Sequence, residues 1–317
     1  MEPAFDIVTG GAGFIGSNLS KRLLSKGRRV RVVDNLFSGR LENLAGFDQV
    51  YPGAFEFLQV DIRDIAALRE AFRGCETVYH LAAIPSVQHS IDDPCESNSV
   101  NVDGTLNVLS AAKETGISKV VLASSCAVYG DTEVLPVRED LPIDPLSPYA
   151  VTKYCDELYA GVFTRVLGLS TLCLRYFNVF GPRQDPGSDY AAVVPKFITR
   201  MLGGQPPIVF GDGEQSRDFI FVENVAAANI LAAGSDAEAL AVNIGTGEQR
   251  TLNELASTIN GILGTDFEPI YEPARSGDIR DSVSEIALAK ELLGFEPEVS
   301  FQEGLGRTVE WFARSTA

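Results

Sequence analysis

The 317 residues suffice for one large domain or two lobes, and 45 % apolar with 22 % charged residues is the balance of a globular chain, not a disordered one. Against 43 Asp and Glu stand only 26 Lys and Arg, a net charge of −17, so most of the surface repels nucleic-acid backbones and acidic membranes. Five cysteines without a CxxC pair and two histidines argue against a disulfide framework and a zinc site. The opening MEPAFDIVTGG lacks the basic segment of a secretory leader, and no uncharged apolar run has the length of a membrane span. The expectation is a soluble cytoplasmic protein without a metal, without nucleic-acid or membrane partners, and with any phosphate bound locally by a helix end or a few arginines.

Along the first 180 residues, short β-branched and aromatic runs alternate with stretches of helical period. FDIVTG (5–10) reads as a strand and 14–26 as a helix with Ile15, Leu19 and Leu23 on one face. Further strands are expected at 28–34, 55–61, 77–83, 119–125 and 170–178, and helices at 64–72, 94–115 and 148–167. Strand–helix alternation of this kind gives parallel βαβ units with right-handed crossovers, hence an α/β fold of Rossmann type with a doubly wound sheet. After residue 180 the chain becomes turn-rich, which suggests a smaller C-terminal lobe over 181–317. The two parts are expected to interleave, because 222–244 reads as a helix and strand returning to the main sheet, within a return segment of about 222–261.

Between the first strand and first helix stands TGGAGFIG, with Gly10, Gly13 and Gly16 in G-x-x-G-x-x-G spacing. Such glycines permit a tight strand-to-helix turn and let a pyrophosphate approach the positive helix N-terminus. Spacing alone also fits an ordinary turn, but Asp34 ends the second predicted strand 18 residues past Gly16. A carboxylate there accepts hydrogen bonds from an adenosine ribose and repels a 2′-phosphate, which favours NAD over NADP. Asp61, ending the third strand, is placed either to face the adenine or to cap the following helix.

In YAVTK, Tyr149 and Lys153 share one face of a helix introduced by Pro148. A cation beside a phenol lowers a pKa of about 10 towards the range useful for proton exchange with a sugar hydroxyl. Ser124 and Ser125 end an apolar strand at the carboxyl edge where such sheets bind ligands, 24 residues before Tyr149. Either piece alone fits a surface pair or a strand-end hydroxyl; together they point to a site.

TGGAGFIG, Asp34, HLAA (80–83), NVDGT (101–105), SSCAVYG (124–130), YAVTK (149–153), RYFNVFGPRQ (175–184), SRDFIFV (216–222) and RSGDIRDS (275–282) follow in register over nearly the whole chain. In these segments the sequence resembles the extended short-chain dehydrogenase/reductases that act on nucleotide sugars, and most nearly their UDP-galactose and UDP-N-acetylgalactosamine 4-epimerases. The resemblance implies an NAD cofactor and a UDP-sugar substrate epimerised at C4 through a transient 4-keto sugar. It makes Tyr149 the acid/base, Ser125 its hydrogen-bonding partner, and Lys153 the ligand of the nicotinamide ribose. Gly10, Gly13, Phe14, Ile15 and Gly16 would hold the pyrophosphate, and Asp34 and Asn35 the adenosine ribose, with Leu36, Ser38 and Gly39 beside them. Asp61 and Ile62 would meet the adenine, Leu81, Ala82 and Ala83 would line the dinucleotide, and Asn101 and Phe177 would complete the shell.

On the UDP side the resemblance assigns Asn178 to the diphosphate, Val193, Val194 and the Phe210–Gly211 turn to the uridine pocket, Arg217 and Arg275 to diphosphate neutralisation, and Asp278 to the uridine ribose. Related dehydratases and decarboxylases carry an extra acid just after the strand-end hydroxyl, where this chain has Cys126 and Ala127. Cys126 replaces the family's usual Ser, Thr or Ala and reads as a packing residue or a substrate-side contact. Seven residues after Arg275, Ser282 falls where bulky side chains in this family exclude N-acetylhexosamines, so both plain and acetylated hexoses are expected substrates. The helices 94–115 and 148–167 would pair across a two-fold in a homodimer. Two rival readings remain: an enzyme of the same superfamily acting on UDP-sugar acids, and a non-catalytic NAD-binding sensor.

Overall fold

Apolar β-branched runs bury on both faces only when helices cover both sides of a parallel sheet. The computed structural model, which describes residues 4–187, 192–274 and 279–315, has that arrangement. Strands β1 (Phe5–Thr9), β2 (Arg29–Asp34), β3 (Phe55–Gln59), β4 (Cys75–His80), β5 (Lys119–Ser125), β6 (Ser170–Tyr176) and β7 (Ala241–Ile244) form one sheet in the order β7-β6-β5-β4-β1-β2-β3. Every pairing is parallel. Alternate residues serve opposite faces. Val8 and Val121 join Leu19, Leu23 and Leu172 on one side, whereas Ile7 and Val120 join Leu68, Val78 and Leu109 on the other. Each such fully buried aliphatic side chain contributes roughly 1.5–3 kcal/mol of transfer free energy.

The helix Pro148–Leu167 has the expected bounds because all its signals agree: Ser147 accepts from the Ala150 amide, proline occupies the first turn, and Gly168 closes the end at φ 67°. The expected helix over 94–115 differs. It comprises Pro94–Asn98, a π-helical turn Ser99–Asp103 and Gly104–Thr115, preceded by a separate helix Val87–Asp92 capped by Ser86. The wide turn carries Asn101 into the interior, where Oδ1 accepts from the Ile84 amide (2.8 Å) and Nδ2 donates to the Ile84 carbonyl (3.1 Å) and Thr152 (3.0 Å). Gly104 then packs on Ile62, whose Cδ1 would lie 2.5 Å from an added Cβ. The helix Ile65–Phe72 is capped by Asp64, which accepts from Ala66 and Ala67, so the capping role considered for Asp61 belongs to Asp64.

The run expected as one strand over 170–178 breaks at Phe177. The main-sheet strand ends at Tyr176, and Asn178–Phe180 pairs instead with Phe219–Phe221. That step leads into smaller structure: Ile208–Phe210 beside Ile270–Glu272, Ser216–Arg217 against Arg250–Thr251, and helices Val193–Leu202, Leu252–Leu263 and Phe301–Ser315. Phe180, Phe197, Phe221, Leu255, Leu305 and Phe312 form its core. Helix Val222–Gly234 packs on helix Phe14–Ser25, and β7 adds to the main sheet beside β6.

Fully buried Asp218 joins three segments of this region. Its carboxylate accepts from the Thr246 amide (2.8 Å) and hydroxyl (2.6 Å), the Gly247 amide (3.1 Å), and the Ser284 amide (3.1 Å) and hydroxyl. Asp218→Asn exchanges an acceptor for a donor among these donors. It is expected to cost about 2 kcal/mol or more, read as a lower urea midpoint, because charged acceptors make the stronger hydrogen bonds. An unchanged midpoint would show that Asp218 does not hold these segments together.

Candidate active site

All seven strands point their carboxyl ends to one edge, and the glycine turn after β1 lies there. Gly10 has φ 67°, and a Cβ on it would lie 2.7 Å from the Ala82 nitrogen. A Cβ on Gly16 would come within 2.2 Å of the Gly10 carbonyl oxygen. Two glycines are thus required for turn, helix and β4 end to meet. Helix Phe14–Ser25 starts at Gly13 with no side-chain cap and no acidic residue in its first turn. A first turn of that kind suits an anion, here a pyrophosphate.

Asp34 ends β2, 8 % exposed, accepting from the amides of Ala12 (3.0 Å) and Leu36 (2.8 Å). Burial raises its pKa, and the two amides oppose that rise. Gly39 leaves room for it, since a Cβ there would sit 2.7 Å from Asp34 Oδ1. Leu36 turns away at φ 63°. Asp61 accepts from Asn35 Nδ2 (2.9 Å) and from Arg63 Nη2 (2.7 Å), and its bonding to Arg63 holds it well below the usual carboxylate range.

Helix Pro148–Leu167 begins beside the end of β5 and brings Tyr149 and Lys153 to the same edge. Its first turn is fixed from outside: the Tyr149 amide donates to Ser90 Oγ (3.0 Å), and Thr152 bonds both the Tyr149 carbonyl (2.8 Å) and Asn101. Burial raises the Tyr149 pKa, opposed by the Lys153 ammonium and a hydrogen bond with the Ser125 hydroxyl. Lys153 is 4 % exposed and pairs with Asp156 at 3.3 Å. Behind this helix, Glu157 receives Arg175 (2.7 Å) and the Ser124 hydroxyl (2.5 Å), which ties the serine end of β5 to the helix. Burial pushes the Cys126 thiol up to about 12, with Asp218 adding to the rise and Arg217 opposing it, so this thiol stays protonated at neutral pH.

Many of these groups border one cleft of about 890 Å³. Gly10, Gly13, Phe14, Ile15, Gly16, Asp34, Asn35, Ser38, Ile62, Leu81, Ala82, Ala83, Tyr149 and Lys153 line it, and Asn178, Val193, Val194, Phe210 and Arg217 continue it into the C-terminal region. Other anticipated residues stand behind that wall: Leu36, Gly39, Asp61, Asn101, Ser125, Cys126, Phe177, Gly211 and Ser282 do not line it. Phe177 packs with Val128, Tyr129 and Val137, and half-buried Ser282 donates its amide to the Ser216 carbonyl (3.2 Å), next to Arg217. Arg275 and Asp278 lie outside the described residues. Sequence reasoning missed Arg40, Arg63 and Arg183 as lining residues. Arg183 lies over the Phe47 ring and Arg40 pairs with Asp185 (2.6 Å) across the mouth; the GPRQDP stretch was the available signal.

A glycine cradle that any side chain would fill, an uncapped helix start and a carboxylate at the β2 end fit a dinucleotide without a 2′-phosphate. The chain is similar to the UDP-glucose 4-epimerase of Mycolicibacterium smegmatis, 41 % identical over 309 residues that cover 96 % of this chain and 97 % of that protein. Its structure is similar to that of a UDP-N-acetylglucosamine 4-epimerase from Methanobrevibacter ruminantium M1 solved with UDP-N-acetylmuramic acid, with TM-score 0.94, 41 % identity and coverage of 99 % and 100 % of the two chains. It is also similar to the Thermotoga maritima UDP-glucose 4-epimerase solved with UDP-glucose, with TM-score 0.93, 41 % identity and the same coverage. The family model described as the NAD dependent epimerase/dehydratase family matches residues 7–245, and the chain belongs to that family.

Proposed function

We propose that the protein interconverts UDP-hexoses at C4, taking UDP-glucose and UDP-galactose and also UDP-GlcNAc and UDP-GalNAc, through a transient 4-keto sugar. The observation that carries the reading is one cleft joining the glycine turn, Tyr149 with Lys153, and Arg217, with Ser125 hydrogen-bonded to Tyr149 and no acid at 126 or 127. NAD, when bound, supplies the acceptor and donor of hydride at C4. Tyr149 takes the 4-hydroxyl proton and returns it, Ser125 steadies that hydroxyl, and Lys153 favours the phenolate and meets the nicotinamide ribose. Arg217 with Asn178 and Arg275 would hold the diphosphate, and Asp278 the uridine ribose. We read 1–180 with the return at about 222–261 as the NAD-binding domain and the remainder of 181–317 as the sugar-nucleotide lobe.

A homodimer belongs to the same proposal. Val87, Ile91, Val151, Leu158, Tyr159, Val162 and Val166 are all at least 40 % exposed on helices Val87–Asp92 and Pro148–Leu167. An apolar face of this size supports pairing of two copies through 148–167 together with 87–92, whereas the expected 94–115 segment has no large hydrophobic among the exposed ones. A cytoplasmic setting is supported by five free thiols. No helix among the described residues is long and apolar enough to cross a membrane.

The direct assay incubates the purified protein with UDP-sugars without added nicotinamide. Epimers are expected; carbon dioxide from UDP-sugar acids would favour the decarboxylase reading, and inertness the sensor. Tyr149→Phe is expected to lower kcat by roughly 10²–10⁴-fold with NAD still bound, the range for loss of a general acid/base. Retention of most activity would assign the proton to another group. NAD should be favoured over NADP, and Asp34→Ser should narrow that preference in binding titrations; wild-type protein purified with NADP would contradict the role of Asp34. Ser282→Tyr should suppress turnover of UDP-GlcNAc while sparing UDP-galactose, because an added ring in a filled pocket costs roughly 1–3 kcal/mol or blocks entry. Equal effects on both sugars would remove Ser282 from the pocket.

A further inference from the structure

Behind Lys153 the molecule keeps an ionisable group that the epimerase reading does not use. Asp156 lies on the same helix, 2 % exposed, and Lys153 Nζ donates to its Oδ2 at 3.3 Å. Its Oδ1 is buried with only the Thr105 hydroxyl, besides Lys153, near the carboxylate, and that hydroxyl donates to the Asn101 carbonyl. A half-satisfied buried carboxylate is costly, and an apolar residue would be cheaper at a purely structural position. Its partner is the cation that stands beside the Tyr149 phenol.

The other groups around it are accounted for. Glu157 is matched by Arg175, with both side chains at most 7 % exposed. On β4, burial lowers His80 to about 3, so it is neutral, bonded to Thr9 (2.7 Å) and Thr105 (2.9 Å). Thr105 also lies close enough to Asp156 to lower its pKa. Cys173 on β6 and Cys155 on the same helix are both raised by burial and remain thiols. Lys153 and Asp156 therefore form the charged pair that faces Tyr149 from below.

We infer that Asp156 is a positioning residue for proton transfer: it anchors the Lys153 ammonium through one N–H, leaves two for the cleft, and sets the pH range in which Tyr149 ionises. The inference rests on Tyr149 being the proton acceptor. Burial raises Asp156 to about 6, so the carboxylate is charged at neutral pH and shields the phenol from part of the lysine field. Removing that negative charge lowers the Tyr149 pKa.

The test titrates NAD-loaded wild type and Asp156→Asn by ultraviolet tyrosinate absorbance, with Tyr149→Phe as the blank, and records kcat/KM against pH. Both the tyrosinate transition and the acidic limb should move to lower pH by about 1 unit in Asp156→Asn, the size of a neighbouring-charge effect. Unmoved transitions in a folded variant would overturn the inference. So would loss of the fold in both Asp156→Asn and Asp156→Ser, which would make the carboxylate structural. The absorbance titration needs no turnover, so an inactive wild type would contradict the epimerase reading and still leave Asp156 judged by its own result.

Discussion

The architecture depends on how closely the chain can approach itself at the turn after β1. A carbon on Gly16 would come within 2.2 Å of the Gly10 carbonyl, and one on Gly10 within 2.7 Å of the β4 extension. Only glycine lets the first helix start directly over the carboxyl edge of the sheet, with its amides towards the cleft. Parallel pairing does the rest, because it delivers every strand end to that edge: Asp34 from β2, Leu81 and Ala82 after β4, and Ser124 and Ser125 from β5.

Electrostatics divide the cleft into two ends. A chain of net charge −17 has little general affinity for anions, so its arginines matter by location. Arg217 lines the C-terminal end of the cleft, on a short strand whose next residue, Asp218, accepts from two further segments. At the glycine-turn end, buried Asp34 offers acceptors in a lining that also holds Arg40 and Arg63. Between them the phenol, lysine and carboxylate of Tyr149, Lys153 and Asp156 form a small charge system in a buried helix–sheet junction, where each charge acts strongly on the others.

Much of this was legible in the chain. Strands of the doubly wound sheet are short runs rich in β-branched and aromatic residues, and Ser147, Pro148 and Gly168 mark the helix of Tyr149 and Lys153 without ambiguity. Local pattern failed where a tertiary contact overrode it. The π-turn at Ser99–Asp103 exists because Asn101 bonds Ile84 and Thr152, neither of which is a sequence neighbour. The run over 170–178 divides because Asn178 finds a partner in Phe219, 41 positions on. Asp156 looks like an ordinary exposed helix acid in the sequence, and only the packing of its helix against β5, β6 and the helix Gly104–Thr115 makes it a buried partner of Lys153. Arg183 stands in a visible motif, but its place over Phe47 depends on how the loop after Phe180 folds back on the first lobe.

Isotope retention tests whether C4 is oxidised and reduced within one site, as proposed. Purified protein is given UDP-galactose deuterated at C4 in ordinary water, and the UDP-glucose formed is examined by NMR. Deuterium is expected to remain at C4 of the product, because the hydrogen leaves and returns as hydride without meeting solvent while Tyr149 handles only the hydroxyl proton. Replacement of that deuterium by solvent hydrogen would contradict it, since the C4 hydrogen would then be moving as a proton.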